Sequence, residues 1–262
     1  MPAASYRVLS DFFKTDLNFT PTPADIAQFE KDLAVVSPAL MRDALVELSQ
    51  GRSRNRPAGA GQWRTAIYAI YNRKIAEHAQ LFPLFHCFET AFRSKIAVTL
   101  EEHYGIAAWW APLSSALRSG DDHTSVTTIG RVNAVPFDQR RAIFKMVEGM
   151  TNNDVDVMSF ADGYELLQHS TLGQIRRLLH SHWALFRGSF KTPTGQPMKQ
   201  QVAFDKFDTV QDARNAVYHH LPFANMKEVY NNANELLACL PFPLPRVHKV
   251  IATTKCGPPP YF

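Results

Sequence analysis

Apolar residues recur every three or four positions along most of this chain, and that spacing limits what it can fold into. In FHCFETAFRSKIAVTL (85–100), Phe85, Phe88, Phe92, Ile96 and Leu100 fall on one stripe of a helix. The segment 22–36 opens on Thr-Pro and spaces Ile26, Phe29 and Leu33 as one face; 38–51 repeats the proline start and ends at Gly51. Further helices are expected over 62–80, 83–105, 136–150, 155–169, 172–188, 203–221 and 224–240, with a break at Pro83. No run alternates as a strand does, and no repeat is visible. The expected fold class is all-α, an antiparallel helical bundle. Apolar residues are 45% and charged residues 20% of the 262, a globular mixture that argues against disorder over most of the length.

Several chemistries find no support in the residues. Cys87, Cys239 and Cys256 are odd in number and form no CxxC pair, so neither a zinc knuckle nor a redox dithiol is suggested; they read as reduced thiols. Asp121-Asp122-His123 has a metal-like look but no further ligand at a recognisable spacing, and no metal or cofactor is expected. There is no glycine-rich phosphate loop and no G-x-S-x-G elbow. The start, MPAASYRVLSDFFK, has no apolar core of a signal peptide, and no apolar run nears the roughly 20 residues of a membrane span; the expected location is cytoplasmic. A net charge of +4 permits a polyanionic partner without demanding one.

The polar residues inside the apolar stripes are more informative. On a helix through VQDARNAVYHHLPF (210–223), Val210, Val217 and Leu221 lie within about 80° of Phe207. Arg214 falls inside that stripe and Asn215 on its edge. His219 is nearly opposite, and His220 lies between. Arg214 and His219 are about 140° apart, so a site using both needs a distorted last turn, a second chain, or both. Pro222 disfavours helical geometry at Leu221, which makes distortion plausible. In 85–100, Glu89 faces inward, with Arg93 four residues on. Two partners stay open for Glu89: Arg93 on its own helix, or Arg214 across a helix interface.

The run R-N-x-x-x-H-H (Arg214, Asn215, His219, His220) resembles the signature of HEPN domains, more narrowly their Abi-like (abortive infection) branch. FETAFRSKIAVTLEEHYGIAAWW (88–110) is similar to that branch's early helix. The stretch from MSFADGYELLQHS to LLHSHW (158–183) is similar to its middle helices, with Phe160-Ala161 in place of the usual Phe-Gly. The resemblance spans roughly 80–245 and implies three parts: N-terminal helices over 1–80, a HEPN-type domain over 81–245 and a proline-rich tail over 246–262. It implies a homodimer with the motif in a cleft at the dimer axis. It also implies metal-independent RNA cleavage, in phage defence or as a toxin, with an antitoxin or sensor protein as a further partner. The alternative is a non-catalytic HEPN module that binds RNA, a nucleotide or a partner protein. HEPN toxins modified by nucleotidyltransferase antitoxins carry a tyrosine two residues after the histidine. Here Leu221 follows His219-His220, so that control is not supported.

Such a site would use the 2′-hydroxyl of RNA as nucleophile, histidine as base or acid near neutral pH, and arginine on the phosphate. The plainer readings are an exposed helix-end histidine at 219 and an ion-paired Arg214. Arg52, Arg54, Arg56 and Arg64 could contact a phosphate backbone from the loop 51–64, or simply line a solvated connector. Arg176 and Arg177 could extend an RNA track, or form a solvated helix face. His182 shares a stripe with Leu179, Trp183 and Phe186, and reads as a hydrogen-bonded core histidine.

Overall fold

The structure, a computed structural model, describes residues 22–49, 63–192, 194–223 and 225–240. These residues form an all-α fold. In chain order the helices are α1 (Pro23–Leu33), α2 (Pro38–Ser49), α3 (Trp63–Tyr104), α4 (Ala111–Arg118) and α5 (Phe137–Thr151). Then come α6 (Gly163–Gln168), α7 (Leu172–Ser181), α8 (Trp183–Phe186), α9 (Gln200–Tyr218) and α10 (Met226–Ala238). Among the described residues, β pairing is confined to two isolated bridges, Ile129 with Val132 and Lys191 with Pro197.

The chain divides into two compact units. One holds the described residues up to Phe82 together with Asp212–Met226; the other holds Pro83–Gln211 with residues 227–240. In the first, Phe29, Leu33, Met41, Leu45, Leu48, Ile67 and Ile70 make a closed apolar core. Ser37 precedes Pro38 and accepts the Leu40 N–H on its hydroxyl at 3.4 Å, the usual chemistry of a helix start. Ion pairs tie the flanks: Asp32 takes two guanidinium N–H groups of Arg64 at 2.6 and 2.8 Å, and Lys74 bridges Asp43 and Glu47.

In the second unit the stripe expected over 85–100 is the buried one: Phe85, Phe88, Phe92, Ile96 and Leu100 are all closed to solvent. Phe207 packs its ring on Phe88 and Phe92 at 5.2 and 5.1 Å. Helix α4 packs on α5, and α5 on α7. Thr171 and Gln174 close a reciprocal capping box at the start of α7. His182 is fully buried, as expected for a core histidine. Its Nδ1 faces the Leu178 carbonyl at 2.9 Å, and a carbonyl can only accept, so Nδ1 carries the proton. Nε2 then accepts from the Tyr104 hydroxyl at 2.9 Å. Burial pulls the His182 pKa down to about 4.

Three expectations about elements need correction. The helix does not break at Pro83: α3 runs 42 residues through it. Pro83 and Ala79 both lie on the water side, so the Ala79 carbonyl that loses its N–H partner can be hydrated. A short helix, α4, stands after the tryptophan pair, and the polar stretch SGDDHTSV (119–126) that follows it is a loop. The helix expected over 155–169 shrinks to α6, because Asp162 caps Glu165 N–H at 2.9 Å and starts it late. The helix expected over 172–188 is interrupted at His182, whose backbone leaves helical geometry between α7 and α8.

Candidate functional site

Helix α9 ends at Tyr218, and its last turn is built from the two adjacent histidines. The His219 N–H reaches the Asn215 carbonyl at 3.0 Å. His220 then takes a left-handed backbone with φ 52°. This lets its N–H meet Val217 O at 3.2 Å and the Leu221 N–H meet Ala216 O at 2.7 Å. That pair of bonds is a Schellman closure, in which glycine is the usual left-handed residue. From α2's N-terminus the Ser37 hydroxyl donates to the His220 carbonyl at 2.9 Å and pins the turn. Leu221 is swung out to 46% exposure, which corrects its expected place in the buried stripe.

Above this turn sits Arg214. Its guanidinium carbon is 4.1 Å from the centroid of the Tyr218 ring, and Nη1 donates to Asn215 Oδ1 at 3.3 Å. Arg214 and Asn215 are half-buried, while Ala213 and Val217 beside them are buried. The Tyr218 and Phe82 rings meet edge to face with centroids 5.2 Å apart. His219 and His220 are both exposed, and neither imidazole has a hydrogen-bond partner among the described residues. Thus the structure gathers Arg214, Asn215 and Tyr218 into one contact group and presents the two imidazoles to solvent just beyond it.

A third imidazole, missed in the sequence, belongs to the same unit. His78 on α3 is 5% exposed, its ring lies 5.2 Å from Phe223, and its Nδ1 is buried without a hydrogen-bond partner. Burial lowers its pKa first, and Coulombic interaction with His220 and Lys74 lowers it further. So His78 and His220 lie within electrostatic reach, and burial disfavours the charged form of His78. Nothing in the local pattern marks it, since its burial depends on residues far along the chain.

The other expected residues are placed as follows. Glu89, buried in the second unit, pairs with Arg93 at 2.9 Å in an i,i+4 bridge, and Arg93 also donates to Ser170 O at 3.1 Å. Arg176 is held by a two-pronged pair with Asp208 and lies 5.0 Å over the Phe204 ring, while Arg177 is exposed. Arg64 is committed to Asp32. Arg52, Arg54 and Arg56, together with Cys256, lie outside the described residues. Burial raises the thiol pKa of both Cys87 and Cys239, which keeps them protonated. Among the described residues no group of His, Cys, Asp and Glu is arranged to hold a metal, and no helix is long and apolar enough to cross a membrane. No family model, curated protein or solved structure matches this chain.

A guanidinium fixed by an aromatic face and an amide, with two accessible imidazoles within five to six residues, can bind an anionic phosphate and move protons beside it. That is the chemistry open to this helix end.

Proposed function

We propose that the protein is a metal-independent endoribonuclease of HEPN type, working inside the cell as a homodimer in phage defence or as a toxin. The observation that carries this is the C-terminal turn of α9: a half-buried arginine held against Tyr218 and Asn215, followed at once by two solvent-facing imidazoles. The R-N-x-x-x-H-H resemblance supports the same reading. One histidine takes the 2′-hydroxyl proton, a second protonates the leaving 5′-oxygen, and Arg214 stabilises the crowded phosphate between them. The products carry a 2′,3′-cyclic phosphate and a 5′-hydroxyl.

Arg214 and His219 diverge around the helix, so one chain's arginine works with its twin's histidine. Incubating purified protein with RNA in chelator tests the reading: wild type cuts, and Arg214→Ala and His219→Ala keep their helicity and do not.

A second reading, a module that binds RNA, a nucleotide or a partner without cutting it, is favoured by Tyr218. The residue is 44% exposed and its ring is backed by the Arg214 cation, a stacking platform for a base. Under this reading Arg214→Ala lowers RNA affinity and wild type never cleaves.

A further inference from the structure

The first unit contains a pocket of about 580 Å³ between α1 and α3 that the motif residues do not line. Val35 and Val36 form one wall, Tyr68 and Tyr71 another, with Asp32, Arg64 and Asn72 at the polar side. Its size and make-up, apolar and aromatic with a few polar groups, are those of a small-molecule site. The two tyrosine rings meet edge to face with centroids 6.2 Å apart. A flat group lying on one ring therefore abuts the other. Arg64 is neutralised by its two-pronged contact with Asp32, whose carboxyl Arg64 holds below the ordinary range. Burial holds the Tyr68 phenol up at about 12, so it stays uncharged. The pocket therefore suits an uncharged planar ring rather than a bare phosphate. Asn72, exposed at the rim, offers both a donor and an acceptor for a ring edge.

The pocket is also wired to the α9 turn. The Tyr71 hydroxyl accepts the Ser37 N–H at 3.0 Å, and the Ser37 hydroxyl donates to the His220 carbonyl at 2.9 Å. One wall of the pocket thus lies two hydrogen bonds from the residue proposed to move a proton. We infer that the Val35–Tyr68–Tyr71 pocket is a base-binding subsite, taking one nucleobase of an RNA strand whose phosphate lies at Arg214 and the α9 histidines. The path of the strand rests on the ribonuclease reading; the pocket's preference for a flat uncharged ring does not.

The test uses the full chain and the four nucleoside 5′-monophosphates, with saturation-transfer NMR and titration calorimetry. Base protons of at least one nucleotide should receive saturation, and inorganic phosphate should not displace it. Tyr68→Leu should weaken binding by about tenfold or more. Val35→Trp, placed on a side chain 84% exposed and clear of the core, should block the mouth and abolish binding in a folded protein. Failure of all four bases to bind, or binding unchanged in both Tyr68→Leu and Val35→Trp, overturns the subsite. Binding with these losses but no RNA cleavage keeps the subsite and sinks the ribonuclease. Cleavage whose KM and base preference are the same in Val35→Trp keeps the ribonuclease and sinks the subsite.

Discussion

His220 holds a backbone conformation that suits glycine, at a cost of about 1 kcal/mol for a residue with a side chain. Strain of this kind persists where the side chain has a use. His220→Gly is therefore expected to raise stability by up to about 1 kcal/mol, or about 2 °C in Tm. The same variant should lose RNA cleavage; thermal denaturation beside an activity assay reads both. His182 makes a different prediction. Its folded pKa, about 4, lies below the ordinary 6.5, so the unfolded chain binds the extra proton between those values. Stability is then full above pH 6.5 and is lost as pH falls toward 4. The slope is about 1.4 kcal/mol per pH unit and the total is on the order of 3 kcal/mol. Urea titrations at pH 7 and pH 4.5 should show this loss in wild type, and a shallower one in His182→Gln.

At the scale of elements, the long helix α3 shows what a sequence pattern can and cannot tell. The stripe from Phe85 to Leu100 was legible because every fourth or third residue is large and apolar, and burial follows that period. The core role of His182 was legible for the same reason. Continuity through Pro83 was not, because it depends on which side of the helix faces water. His78 was hidden because the groups that enclose and perturb it, Phe223 and His220, come from 140 residues further on. The end of α9 was half legible: Pro222 announced a distortion, but not that a histidine would adopt the left-handed turn. The C-terminus of α3 depends on Gly130, at φ 52°, where an added Cβ would sit 2.1 Å from the Tyr104 carbonyl oxygen. The next residue, Arg131, donates its N–H to that same carbonyl at 2.8 Å. Gly130→Ala should thus cost about 2 kcal/mol or more, seen as a fall in the urea midpoint without loss of helicity at rest.

For the molecule as a whole, the proposed ribonuclease reading requires twin subunits, because Arg214 and His219 are about 140° apart around a helix. Mixing Arg214→Ala with His219→Ala subunits, each inactive alone, should restore cleavage, since each mixed dimer keeps one intact pairing of arginine with the other chain's histidine. No restoration would place both groups in one chain. Light scattering should give twice the chain mass at micromolar concentration. All of this depends on the α9 turn being able to cut RNA with protein groups alone. The direct measurement is incubation of the wild-type chain and Arg214→Ala with single-stranded RNA in excess chelator, followed by analysis of the fragment ends. Fragments from wild type with 2′,3′-cyclic phosphate and 5′-hydroxyl ends, and none from Arg214→Ala, are expected. Intact RNA in both, or cutting that appears only when divalent metal is restored, would refute a metal-independent ribonuclease.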